Sequence, residues 1–199
     1  MSAPLCPTAE SSYEMDPVKG SRFFATLGPV QDEDEARAFV ERVRKEYADA
    51  THNCWAWRVG RKGERFRSSD DGEPGGSAGR PILAQIEGHD VTNAAVVVTR
   101  YYGGTKLGVG GLMRAYGGCA GKALDRAELV PLVIRRRVTV RHPYDCSGAV
   151  QGLLAALSLE ALQPVYEGDV RFELEIEEER LAELEAELRE RTAARAVIL

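Results

Sequence analysis

Cysteine is scarce in this 199-residue chain, and its spacing is uninformative for a metal or redox motif. Cys6, Cys54, Cys119 and Cys146 form no C-x-x-C pair, which excludes the common zinc-ribbon and thioredoxin-type patterns. Histidine is scarcer still, at three residues. His52 with Cys54 is the one close His/Cys couple, and His89 and His142 supply no second pair. No metal and no cofactor are therefore expected. No apolar run approaches the ~18 residues of a membrane span, so no transmembrane helix is expected. The first sixteen residues lack a basic start and an apolar core, so no secretory signal is expected either. Free thiols in a reducing cytoplasm follow from these absences. Aromatic residues are few, at 7%. There is no internal repeat and no low-complexity stretch.

What is present is unevenly placed. The net charge of −5 speaks weakly against general nucleic-acid binding, yet residues 58–126 hold 11 basic and 7 acidic side chains. Residues 134–199 hold 9 and 13. Glycine follows the basic charge, with 15 of 20 between Gly60 and Gly121. A basic, glycine-rich centre inside an acidic protein needs a reason.

The hydrophobic pattern divides the chain near residue 133. Residues 1–16 read as a polar tail. Ser21 to Leu27 suits a strand. Asp32-Glu33-Asp34-Glu35 is a capping box, and Ala36, Phe39, Val40, Val43 and Tyr47 then mark one helical stripe. From Cys54 the period becomes two, and Gly60 to Gly63 reads as a hairpin turn before a returning strand. Ser77 is expected to cap a short helix ending near Glu87. Ala94 to Tyr102 reads as a buried central strand, followed by a glycine loop and a helix from about Gly110 to Glu128. Beyond residue 133 the order is β-α-β-β-α-β, the ferredoxin-like pattern.

Three strings carry candidate chemistry. Gly75-Gly76-Ser77-Ala78-Gly79 fits the G-x-S-x-G pattern, but a polar loop precedes it where a nucleophile elbow needs a buried strand. Asp70, Asp71 and Glu73 place three carboxylates in four residues. They suit a divalent cation or acid–base work, and equally a turn, with Arg67 and Arg80 nearby as partners. The stretch from Arg100 to Arg114 joins a strand end, a glycine loop with Gly103, Gly104 and Gly108, and a helix start. Free N–H groups and a positive dipole end suit anions there. Arg100, Lys106 and Arg114 add charge, and Tyr101 and Tyr102 could stack on bases. Neither a Walker A nor a complete dinucleotide fingerprint is present. The glycines of the helix also read as packing against a sheet.

These residues resemble the IMPACT family, in its bacterial YigZ branch. The likeness rests on Asp70-Asp71-Gly72-Glu73-Pro74 with Ser77 to Leu83, and on Val97 to Tyr116. Lys19 to Phe23 and Ala50 to Cys54 add to it. Gly75, Ser77 and Arg80 depart slightly from the usual serine, threonine and lysine. The resemblance implies an α+β chain of two domains, 17–133 and 134–199. The first is an α/β sandwich like elongation factor G domain IV and the second domain of a small-subunit ribosomal protein. The second is ferredoxin-like. Eukaryotic relatives regulate translation through a kinase activator that bacteria lack, and no catalytic set carries over.

The expectation is a cytoplasmic, non-enzymatic protein that binds RNA or the ribosome. Arg80, Arg100, Lys106, Arg114 and His52 would contact phosphates, with Gly103, Gly104 and Gly108 shaping the loop. The second domain would orient it or bind a protein. Two alternatives stay open: a phosphate- or acyl-ester hydrolase using Asp70, Asp71 and Glu73, and a protein–protein regulator without nucleic acid.

Overall fold

A computed structural model describes residues 3–199. They form two compact units that divide between Leu132 and Val133, and the class is α+β. The first unit contains strands β1 (Leu5–Pro7), β2 (Ser11–Val18) and β3 (Ser21–Pro29), then helix α1 (Glu33–Glu46). It continues through β4 (His52–Val59), β5 (Arg65–Ser69), α2 (Gly79–Gly88), β6 (Ala94–Tyr101), α3 (Val109–Arg126) and β7 (Leu129–Pro131).

Five strands make one antiparallel sheet in the order β2-β3-β6-β4-β5. β6 lies at its centre, and Ala94 to Arg100 are all buried. Its unbroken apolar character follows from cover on both faces. On one face α1 presses Phe39, Val40 and Val43 against Trp57, Val59, Ala95 and Val97. On the other, α2 and α3 bring Ile82, Ile86, Leu112 and Tyr116 onto Phe23, Cys54, Val96 and Val98. Burying apolar side chains on both faces is the main stabilisation, at roughly 25 cal/mol per Å².

Local chemistry sets the ends of α1. The Asp32 carboxylate accepts from the N–H groups of Asp34 and Glu35, both at 2.9 Å. Glu35 reaches back to Gln31 N at 2.8 Å, one residue before the usual capping-box partner. The expected tail is different: residues 5–7 pair with β7 and residues 11–18 pair with β3. Tyr13, Met15 and Val18 pack on the core, and the polar residues between them are the outward half of a strand. Residues 1–2 lie outside the described residues.

A second correction concerns α3. Its glycines read in sequence as meeting a sheet, but Gly117 and Gly121 face α2. A Cβ on Gly121 would meet the Gln85 side chain at 2.6 Å, and one on Gly117 would meet Pro81 at 3.5 Å. The close approach is helix to helix.

The second unit holds β8 (Arg135–His142), α4 (Ser147–Ala156), β9 (Leu162–Glu167), β10 (Asp169–Glu177), α5 (Leu181–Arg191) and β11 (Val197–Ile198). Its antiparallel sheet has the order β11-β8-β10-β9, which is the ferredoxin-like arrangement. Val140, Phe172, Leu174 and Ile176 face α4 and α5 through Val150, Leu153, Leu184 and Leu188.

Candidate functional site

The two long strings meet at the end of β6. Arg100 stands in register between His52 of β4 and Phe23 of β3. Its Nη1 donates to Glu73 Oε1 at 2.6 Å, and both side chains are buried, 6% and 4% exposed. Tyr116 of α3 donates its hydroxyl to the same oxygen at 2.7 Å. His52 Nε2 lies 3.9 Å from it. One carboxylate thus ties the 70–79 loop to β6 and α3. Removing either member of such a buried pair typically costs about 3–5 kcal/mol, because the other charge is left uncompensated.

The other two carboxylates are also occupied. Asp70 Oδ1 accepts from the N–H groups of Ala78 and Gly79, both at 2.9 Å, and Oδ2 from Gly76 N at 2.8 Å. Burial pushes the Asp70 carboxyl up, but those three donors outweigh it and hold it below its ordinary value. Asp70 therefore does the capping expected of Ser77, whose buried hydroxyl has no hydrogen-bond partner. The reason is reach: α2 begins at Gly79 with Ala78 at the cap position, so Ser77 stands one residue too early. Asp71 accepts from Asn53 N at 2.7 Å and from Arg44 at 3.2 Å. Its backbone carbonyl lies 2.8 Å from His52 Nδ1. The expected partners Arg67 and Arg80 take no part among the described residues. Arg44 and Arg100 fill that place.

Arg100, expected at phosphates, is instead drawn inward, with Nη2 donating to Ser21 Oγ at 3.2 Å and its guanidinium 5.6 Å from the Phe23 ring and 5.3 Å from that of Tyr102. Ser21 Oγ also accepts from Gly103 N at 3.1 Å. At Gly103 a Cβ would sit 1.9 Å from the Gly20 carbonyl carbon, so no other residue fits where the two loops touch. Cys54 completes the buried layer. Its thiol donates to the Asp70 carbonyl at 3.0 Å, and burial pushes it up to about 12. Burial with Cys54 and Glu73 alongside raises the Tyr116 hydroxyl as well.

Outside this layer the charge is unbalanced. Lys106 and Arg114 are exposed and make no ion pair among the described residues, and the same holds for Arg80 and Lys19. Helix α3 starts at Val109, after the cap residue Gly108 at φ 74°, with no side-chain cap and no acidic residue in its first turn. Tyr102, Val109 and Met113 are 45%, 53% and 46% exposed beside these cations. Ser21, Asn53, Arg44 and Tyr116 are the positioning residues that single-residue chemistry did not single out. Ser21, Asn53 and Tyr116 sit within the stretches that carried the family resemblance.

This is a chain whose first unit carries the Impact N-terminal domain, matched over residues 19–124, and whose second carries a domain of unknown function, DUF1949, over 140–195. It belongs to the IMPACT family. It is 45% identical over 159 residues to an IMPACT family member of Thermus thermophilus, covering 80% of this chain and 86% of that one. It is 36% identical to the IMPACT family member YigZ of Escherichia coli, covering 92% and 91%. The rat protein IMPACT shares 38% over 117 residues, 36% of its length. A crystal structure of an hypothetical protein superposes with a TM-score of 0.69 at 33% identity, across 100% of this chain and 97% of that one.

Proposed function

We propose that this protein is a cytoplasmic, non-enzymatic regulator of translation that binds RNA, free or in the ribosome, through its first unit. The observation that carries this reading is the sorting of charge at the site. All three carboxylates of the 70–79 loop are neutralised internally, by backbone N–H groups, Arg44 and Arg100. The exposed cations Lys106 and Arg114 then face solvent beside an uncapped helix start and the exposed ring of Tyr102. Such a surface takes phosphates at the cations and helix N–H groups and a base on the tyrosine. Arg80 extends the positive rim. Arg100 and His52 hold the loop in place. The same sorting disfavours the hydrolase reading: Asp70, Asp71 and Glu73 are engaged in holding the loop.

The test is single-stranded RNA binding measured by fluorescence anisotropy across a salt series. Affinity should fall steeply with salt. Lys106→Ala with Arg114→Ala should lower it and flatten the log–log slope by about 0.7 for each phosphate no longer neutralised. An unchanged affinity and slope would sink the proposal.

A further inference from the structure

β5 is one of the two edges of the five-stranded sheet, opposite β2, and β4 is its strand partner among the described residues. It pairs with β4 through five consecutive positions, Trp55↔Ser69 to Val59↔Arg65, without bulge or proline. Its outer N–H and C=O groups therefore form a regular, unpaired row. Edge strands are normally blunted against further pairing, but this one places Phe66 near its middle, 51% exposed. An open hollow of about 860 Å³ runs along the same edge.

The two sides of that edge differ chemically. Phe66 and Ser68 lie on the α2 side, where Arg80, Leu83 and Ala84 complete the wall of the hollow. Arg65 and Arg67 lie on the α1 side. Their guanidinium groups are each 3.9 Å from Glu33, which also serves Arg37 at 3.2 Å. Arg37 has a closer partner in Asp34, at 2.7 Å, so at the strand edge two arginines, Arg65 and Arg67, share the one carboxylate of Glu33. Glu87 is the single acidic residue of the hollow's wall, against Arg67 and Arg80.

We propose that this edge docks an extended acidic segment of a partner protein, which adds a sixth strand beside β5. In a strand, successive side chains point to opposite faces. Alternate residues of the guest would place apolar side chains against Phe66, Leu83 and Ala84, and carboxylates against Arg65 and Arg67. Backbone hydrogen bonds would supply affinity, and the two-sided pattern would supply selectivity. A row of peptide groups at a two-residue period suits another peptide better than the phosphates of RNA. The surface shares Arg80 with the rim of the RNA reading but contains neither Lys106 nor Arg114, and the strand pairing at 65–69 does not rest on that reading.

The test uses the full chain and a capped peptide in which valine and glutamate alternate, with a valine–lysine peptide as its counterpart. Amide hydrogen exchange within 65–69 should slow when the valine–glutamate peptide is added. Phe66→Lys should weaken binding about tenfold or more, as loss of a central aromatic anchor does. Arg65→Glu with Arg67→Glu should lose the acidic peptide and gain the basic one, a swap that misfolding cannot mimic. Lys106→Ala should leave binding unchanged. The proposal is overturned by unslowed exchange at 65–69, by equal binding of both peptides, or by a uridine oligonucleotide that protects the same amides in place of the peptide.

Discussion

On the outward face of the second unit's sheet, arginines meet carboxylates across the strands. Arg137 reaches Glu175 at 2.9 Å and Glu173 at 3.5 Å, and Arg141 reaches Asp169 at 3.8 Å. Every one of these side chains is more than a third exposed. In the first unit the corresponding pair, Arg100 with Glu73, is buried, while Lys106 and Arg114 stand exposed without ion-pair partners among the described residues. The difference teaches how to read a formal charge count. Exposed paired charges make a solvated face and contribute little, about 0–1 kcal/mol each. A buried pair fixes geometry. Exposed unpaired cations are the ones available to a ligand. Arg137 and Arg141 are thus already taken up in exposed pairs, whereas Lys106 and Arg114 of the first unit are left open to solvent.

The comparison breaks first at Glu73. Glu73→Gln leaves the Arg100 guanidinium buried without its counter-charge and should cost about 3–5 kcal/mol. Arg137→Gln should cost less than about 1 kcal/mol. Urea unfolding of both variants measures this. Equal losses would show that burial does not separate the two pairs. RNA affinity should also fall in Glu73→Gln, because the 70–79 loop is no longer tied to β6 and α3.

Asp70 gives the next effect. Its carboxylate accepts three backbone N–H groups around the start of α2, and hydrogen bonds to a charged group are worth about 1.5–3 kcal/mol. Asp70→Asn should destabilise the first unit by about that amount. The sign with pH follows from the depressed native value. Asp70 contributes stability above the unfolded value of about 3.9, and that contribution is lost as pH falls through the lower native value. The wild-type chain should therefore lose more stability than Asp70→Asn between about pH 5 and the native midpoint. Parallel acid-unfolding curves for the two proteins would contradict the assignment.

Much of this architecture is legible in the residues alone. The capping box of α1 and the unbroken run of β6 are local signals that tertiary structure had no reason to override. The alternation in 135–177 places the second sheet within a residue or two. What escaped depended on partners distant in sequence. The alternation of Tyr13 and Met15 is diluted by polar neighbours and broken by a register shift before Val18, and only pairing with β3 makes it a strand. Ser77 looks like a cap because serine commonly is one. Asp70 displaces it from nine residues before Gly79, which a local pattern cannot reveal. Arg100 reads as a phosphate ligand because its charge is visible in sequence and its burial beside Glu73 is not.

The smallest expected effect sharpens the comparison between its two extremes. His89 bridges the end of α2 and α3: Nδ1 lies 2.7 Å from the Gln85 carbonyl and Nε2 3.0 Å from Asp125 Oδ1. The imidazole is partly buried, 26% exposed, and Asp125 is 66% exposed. Burial alone would lower the imidazole, but the hydrogen bonds to Asp125 and the Gln85 carbonyl outweigh it and raise it above its ordinary value. A raised histidine contributes stability that is fully present below the unfolded value of about 6.5 and is lost as pH rises through the native value. The contribution should be under about 1 kcal/mol, as for other exposed pairs. Thermal unfolding of wild type and His89→Gln should thus differ most near about pH 5.5 and converge above about pH 8. A gap that widened with pH would mean that the neutral ring is the stabilising form, and that His89 belongs with the buried layer and not with the exposed pairs.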